Sequence, residues 1–324
     1  MKAIVYHDYG SPDVLQLEEI EKSTAGDKEV LIKVRAASVN PLDWHFIRGT
    51  PYIVRIVMTG LRKPKNTRLG VDVAGQVEAV GSAITQFKPG DEVFGTCRGA
   101  FAEYVCTSES NLVIKPNNVT FEQAATVPIA AFTALQGLRD KGKIQPGQKI
   151  LVNGASGGIG TFAVQIAKSY GADVTGVCST RNIDMVRSIG ADQVIDYTKE
   201  DFTKSTQRYD LIFDAIGNHS LSARRRLLSP NGICVTAGGP SGRWKMGLAS
   251  GIKALVWSQF SSRKLTGLLA KSSKEDLIIL QNLMETGKIK PVIDRRYKLS
   301  ELPEAIRYLE EGHARGKVVI TCSE

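Results

Sequence analysis

A run of small residues, Asn153-Gly154-Ala155-Ser156-Gly157-Gly158-Ile159-Gly160, stands between two patterned segments. Before it lies an apolar stretch, Lys149-Ile150-Leu151-Val152. After it, Ile159, Phe162, Ala163, Ile166 and Ala167 recur at helical spacing. Strand, glycine turn and helix in that order form a pyrophosphate-binding device. Small side chains let the backbone turn tightly and approach phosphate oxygens. Gly160 lets the helix pack on the strand, and the first N–H groups of the helix meet the anion with a partial positive charge. A glycine-rich loop serving only close packing is the bland alternative; three agreeing elements argue against it. In such sites an acid about 20 residues further on accepts a hydrogen bond from a ribose 2′-hydroxyl. Here Val177-Cys178-Ser179-Thr180-Arg181-Asn182 holds no acid. Ser179 and Thr180 offer hydroxyl donors and Arg181 a charge, which suits a 2′-phosphate that an acid would repel. The cofactor expected on these grounds is NADPH.

Other reactive residue types point away from chemistry. The five cysteines, Cys97, Cys106, Cys178, Cys234 and Cys322, are scattered and form no Cys-x-x-Cys pair, so neither a disulfide framework nor a structural zinc is expected. Cys97 and Cys106 read as small hydrophobes, and His45, between Trp44 and Phe46, as a packed side chain. Asp43 reads as an acceptor capping a local turn rather than a general acid. The formal charge of +9 is spread over several clusters, including Arg62-Lys63-Pro64-Lys65 and Arg224-Arg225-Arg226. No zinc-finger or RNA-binding aromatic motif accompanies them, so no nucleic-acid partner is expected.

The 324 residues, 42% hydrophobic and 23% charged, suit a globular chain of two domains. No run approaches the ~20 apolar residues of a membrane span. Lys2-Ala3-Ile4-Val5-Tyr6 already reads as a strand, with no signal peptide ahead of it; a cytoplasmic protein is the expectation. The first third is dense in short strand candidates with turns such as Lys88-Pro89-Gly90-Asp91, the pattern of a β-barrel. Thr120-Phe121-Glu122-Gln123 opens a helix with a capping box. From there strands and helices alternate, predicting a doubly wound parallel sheet. After about Lys290 the mixed style returns, and the tail is expected to rejoin the first domain.

The chain resembles the quinone oxidoreductases of the medium-chain dehydrogenase/reductase superfamily over nearly its full length. The resemblance is carried by Asn153 to Lys168, Ala37-Ser-Val-Asn-Pro-Leu-Asp43, Gly70-Val-Asp-Val-Ala-Gly75, Lys88-Pro-Gly-Asp-Glu-Val93, Ala131-Phe-Thr-Ala-Leu135 and Gly190-Ala-Asp-Gln-Val-Ile-Asp-Tyr197. The ending Gly312-His-Ala-Arg-Gly-Lys-Val-Val-Ile320 is similar to a subgroup holding reticulon-interacting oxidoreductases and chloroplast-envelope homologues. The resemblance implies an α/β chain: a GroES-like β-barrel catalytic domain, residues 1–121 plus 291–324, around a Rossmann NADPH-binding domain, residues 122–290. It implies that Ser156, Gly157, Gly158 and Ile159 line the pyrophosphate. Ser179, Arg181 and Tyr197 would surround the 2′-phosphate, and Ile216 and Gly217 would sit beside a ribose. Ala237, Gly238 and Gly239 would approach the nicotinamide, with Thr133 and Asn40 facing it and His313, Ala314 and Arg315 closing over the cofactor.

Zinc alcohol dehydrogenases of the superfamily carry Cys where Asn40 stands and Gly-His-Glu where Gly70-Val71-Asp72 stands. Losing those ligands removes the Lewis acid that makes an alkoxide. No metal is therefore expected, and the reaction expected is hydride transfer to a quinone or an enone. Asn40 and Tyr52 are the candidate donors to the oxygen that gains charge. Two other functions stay open: an NADPH-dependent enoyl-thioester reductase, and a non-catalytic NADPH-binding redox sensor. The family also implies a homodimer. Two apolar, base-flanked segments, Arg243 to Phe260 and Pro51 to Met58, read as a cleft lining or a dimer interface, with a peripheral membrane contact as the second reading.

Overall fold

The structure, a computed structural model, describes residues 1–50, 55–237 and 263–322. Tyr52, Gly238, Gly239 and the Arg243 to Phe260 segment lie outside the described residues. The chain divides into two compact units. The first begins with β1 (Lys2–Val5), β2 (Gln16–Glu19) and β3 (Glu29–Val39), followed by helix α1 (Pro41–Arg48) and β4 (Asp72–Val80). Then come β5 (Glu92–Thr96), β6 (Tyr104–Ser108), β7 (Leu112–Ile114) and helix α2 (Phe121–Ala125). β3 is the spine. β4 runs antiparallel along it, β6 pairs with its first half, and β5 and β7 extend the sheet beyond β4. Its alternating Val30, Ile32 and Val34 are sealed in the core with Val73, Val77 and Phe101. The capping box of α2 is closed both ways: Thr120 N donates to Gln123 Oε1 at 2.9 Å, and Gln123 N to Thr120 Oγ1 at 3.2 Å.

Helix α3 (Pro128–Gln136) carries the chain into the second unit. There β8 (Lys149–Asn153), α4 (Gly158–Ser169), β9 (Asp173–Cys178), α5 (Ile183–Ser188) and β10 (Gln193–Asp196) alternate. β11 (Tyr209–Asp214), α6 (Leu221–Arg226), β12 (Leu228–Thr236) and β13 (Lys264–Gly267) follow. All six strands are parallel, in the order β10-β9-β8-β11-β12-β13, so the winding reverses between β8 and β11. Ligands of such sheets bind outside the carboxyl ends of the strands at that switch point. The predicted apolar stripe of α4 is present but understates the helix. Every residue from Gly160 to Ala167 is buried, including Thr161 and Gln165, so the helix is covered all round. Gln165 is satisfied there by exchanging hydrogen bonds with the backbone of Lys290.

The tail returns to the first unit through α7 (Lys274–Glu285), β14 (Ile293–Lys298), α8 (Leu302–Glu310) and β15 (Lys317–Thr321). β15 runs antiparallel to the second half of β3, with Val318 opposite Val39, and β14 pairs with β15 in parallel. The unit borders differ from the expected ones in two places. The first unit runs to Ile129 rather than 121, because Asp72 of β4 binds the Ile129 N–H at 3.0 Å. It also reclaims Ser272–Gly287. Asn118 caps the end of α7 through the Met284 and Glu285 carbonyls, and Lys274 donates to the Glu109 carbonyl. A helix's own amphipathic pattern does not say which unit supplies these partners.

Candidate functional site

In the second unit the chain leaves β8 through Gly154, whose φ of +84° favours glycine. A Cβ on Gly160 would lie 1.9 Å from the Gly154 carbonyl oxygen, so only glycine allows the turn to close on α4. A Cβ on Gly157, the residue that caps α4, would find only one atom, at 3.5 Å. The amino end of the twelve-residue helix is therefore open beside Gly157, where its first backbone N–H groups have no partner within the helix. These features fit an anionic dinucleotide.

Ser179 directly follows β9, and Arg181 and Tyr197 are exposed. Both Ser156 and Ser179 accept a hydrogen bond from the Asn182 amide. The Thr180 hydroxyl donates to Asp196 Oδ2 at 2.5 Å, so in this structure its proton is held inside the protein. Asp196, an acid, ends β10 rather than β9, outside the segment where a ribose-binding acid is sought. The Thr180 hydrogen bond, with further ones from Thr198, holds its carboxyl below the usual range.

At the switch point Asp214, sealed from solvent, organises the turn through Ile216 and Gly217. Its Oδ1 accepts from Ile216 N (3.1 Å), Gly217 N (2.8 Å) and Asn153 Nδ2 (2.9 Å). Its Oδ2 accepts from Arg224 at 3.0 Å, which also donates to Thr236 Oγ1. Arg224 is thus a buried partner and not part of an open basic patch. Ala237 follows on, its N–H bound to the Asp214 carbonyl. Thr133 is buried on α3.

The first unit holds a second polar knot where zinc enzymes keep their ligands. Asp72 is fully buried. Its Oδ2 accepts from Ser38 Oγ at 2.7 Å and Asn40 Nδ2 at 2.8 Å, with the Lys317 ammonium 3.5 Å away, and its Oδ1 accepts the Ile129 N–H. Lys317, 4% exposed, donates to Asn40 Oδ1 at 2.6 Å and to the Val39 carbonyl. The second Asn40 amide hydrogen goes to the Ser38 carbonyl at 3.3 Å. Both amide hydrogens and the oxygen of Asn40 are thus engaged in ordering the knot. Asp43 is the structural acceptor expected, binding Asn40 N at 2.8 Å and Gly70 N at 3.2 Å. His45 is buried against Trp44 with Nδ1 on the Thr50 carbonyl, and burial pulls its pKa down. Burial pushes the Cys97 and Cys106 thiols up, as befits packing residues. His313 and Arg315 are exposed on the turn before β15, with Arg315 N bound to Asp294, and Ala314 packs on the core.

A zinc ion requires three or four Cys, His or carboxylate ligands. Here one carboxylate with occupied oxygens faces an amide and an ammonium, and Val71 offers nothing. Among the described residues no three His, Cys, Asp or Glu side chains gather to hold a metal. The residues do not fit zinc. No helix of the described residues is long and apolar enough to cross a membrane.

A GroES-like unit joined to a six-stranded parallel sheet with a glycine turn defines a medium-chain dehydrogenase/reductase. Residues 26–117 match the alcohol dehydrogenase GroES-like domain, and residues 189–320 match a family described as zinc-binding dehydrogenase. Over 99% of its length the chain is 36% identical to an NADPH-dependent alkenal/one oxidoreductase, chloroplastic, of Arabidopsis thaliana, covering 79% of that protein. It is 34% identical to the chloroplast envelope quinone oxidoreductase homolog of the same plant, over 99% of this chain and 98% of that one. The structure of Escherichia coli quinone oxidoreductase complexed with NADPH superposes with a TM-score of 0.85 at 25% identity, covering 99% and 100% of the two chains. The chain belongs to the quinone-oxidoreductase-type medium-chain dehydrogenases/reductases.

Two measurements test the knot. Replacing Lys317 with Met leaves the Asp72 carboxylate buried without its cation, and chemical denaturation should show a loss of about 3–5 kcal/mol. Adding Asp72→Asn should recover part of it; an unchanged midpoint in Lys317→Met would show that the pair does not matter to folding. Burial also pushes the Asp43 carboxyl up to about 7, against the Asn40 N–H. The native state then keeps a proton that the unfolded chain releases near its ordinary value. That contribution is complete below pH ~4 and is lost as pH rises through 7. The stability difference between the parent and Asp43→Asn should therefore fall across that window by on the order of 2–4 kcal/mol, and a flat difference would place the proton elsewhere.

Proposed function

We propose that this chain is an NADPH-dependent reductase that delivers a hydride to a quinone or an α,β-unsaturated carbonyl without zinc. NADPH supplies the hydride when bound. The chain's own residues supply binding and orientation, which suffice for an easily reduced acceptor. The observation that carries the zinc-free reading is the buried Lys317 ammonium beside Asp72 and Asn40, where a catalytic zinc would need its ligands. With no Lewis acid, alcohol oxidation lacks the means to stabilise an alkoxide. NADPH is the cofactor, a choice supported by the named requirement of the alkenal/one oxidoreductase relative and by the donors around the glycine turn.

The cofactor contacts of Ser156, Gly157, Gly158, Ile159, Ser179, Arg181, Tyr197, Ile216, Gly217, Ala237, Thr133, His313, Ala314 and Arg315 belong to the same proposal. So do a homodimer, a cytoplasmic location and a peripheral membrane contact. For the last, Ile56 and Leu61 are 66% and 67% exposed, and Arg62 and Lys63 follow Leu61.

Loss of NADPH near-ultraviolet absorbance with a short quinone or an enone should exceed that with crotonyl-CoA. A preference for crotonyl-CoA would move the assignment to an enoyl-thioester reductase, and tight NADPH binding with no oxidation by any acceptor would make the chain a sensor. Arg181→Glu should raise KM for NADPH roughly 10–100-fold while leaving that for NADH within about twofold. Equal changes for both cofactors would remove Arg181 from 2′-phosphate recognition.

A further inference from the structure

Asn182 closes the 3-10 turn that leads from β9 into α5, and it is 5% exposed. Its Nδ2 lies 3.1 Å from Ser156 Oγ in the glycine turn and 3.1 Å from Ser179 Oγ at the end of β9. Its own N–H donates to the Ser179 carbonyl, which fixes the backbone on which the amide sits. Its Oδ1 is buried with no partner.

The orphan oxygen bears on which way the amide faces. If the amide were turned over, Oδ1 would accept both serine protons, and a buried NH2 would be left with two hydrogens and no acceptor. One under-satisfied oxygen is tolerated more readily than orphaned N–H groups. The orientation in the structure is therefore the favourable one, and its chemical consequence is specific. A hydroxyl has one proton to give. When it accepts from Asn182, that proton stays available for another acceptor. Neither Ser156 nor Ser179 makes any other side-chain hydrogen bond among the described residues. Thr180, one residue away from Ser179, shows the opposite case, its proton being held by Asp196.

We propose that Asn182 is a specificity-determining positioning residue of the cofactor site: by donating to Ser156 and Ser179 it orients both hydroxyls and leaves their protons to be given to anionic phosphate oxygens. The proposal rests on the NADPH reading above. It goes further in giving two separated serines one shared cause and in making cofactor choice depend on a residue that need not touch the cofactor.

The test is calorimetric binding of NADPH and NADH to the full chain, with unfolding midpoints of the cofactor-free proteins alongside. Asn182→Ala should weaken NADPH roughly tenfold and NADH less. Asn182→Asp keeps the shape but turns the donor into an acceptor that captures both serine protons, and should weaken NADPH about 100-fold. In a Ser179→Ala background the Asn182 variants should no longer change the NADPH-to-NADH ratio, whereas a purely structural role would leave that change intact. Ser179→Ala alone, which removes one of the two presented hydroxyls, should lower the same ratio roughly tenfold. Variants at 182 that bind NADPH within twofold of the parent, an undiminished ratio change in the Ser179→Ala background, or an unaltered ratio in Ser179→Ala would each overturn the proposal while leaving NADPH binding in place. A parent protein that binds neither dinucleotide overturns the cofactor reading itself.

Discussion

A carboxylate withdrawn from water costs several kcal/mol unless donors surround it, and in this chain one such group organises each unit. Asp72 draws Ser38 and Asn40 from the end of β3, the first turn of α3 through the Ile129 N–H, and Lys317 from the start of β15. Asp214 draws the ends of β8 and β12 together through Asn153 and, by way of Arg224, Thr236. It also sets the Ile216–Gly217 turn. Strand pairing builds the sheets, but these two acids fix where the strand ends and loops point. Neither has slack, since a lost partner would leave a buried charge or dipole unmet.

That constraint separates residues that sit near a site from residues with a hydrogen bond still to give. Asn40 and Thr180 both carry hydrogen-bond donors, and both give them to partners inside their own unit. Ser156 and Ser179 do not. Counting polar side chains treats the four alike; following each proton does not. The same reasoning gives Lys317 its meaning. An ammonium with its nearest partners at 2.6, 3.3 and 3.5 Å supplies the positive charge that Asp72 needs, so a side chain serves the first unit as its internal cation.

What could be read from the sequence was local. The strand, glycine turn and helix over 149–169, the Thr120 capping box and the return of the tail to the first unit follow from short-range spacing, and the structure contains all three. The polar knots could not be read in this way. Lys317 and Asp72 are 245 residues apart and meet only because β15 and β4 flank the same end of β3. In the sequence Arg224 is one third of a basic run, and α6 turns it inward. Helix α7 carries an ordinary amphipathic pattern, and its place in the first unit comes from Asn118 and Lys274, whose side chains say nothing of a helix tip. Asn182 left no signal at all, because an asparagine before a helix is already explained as a capping residue.

The rule relating cofactor choice to an acid after the second strand also takes a more physical form here. An acid does lie nearby: Asp196, at the end of β10, is 7% exposed and kept ionised by its hydrogen bonds. By the rule's logic it should favour a ribose hydroxyl and repel a phosphate. Yet its Oδ2 holds the Thr180 proton and its Oδ1 holds both the Thr198 N–H and hydroxyl, with Lys199 at 3.9 Å. A carboxylate so occupied has little acceptor capacity left for a ribose, and part of its charge is met from within the protein. Selectivity then depends less on whether an acid is present than on which acceptors are already filled and which donors are left unspent.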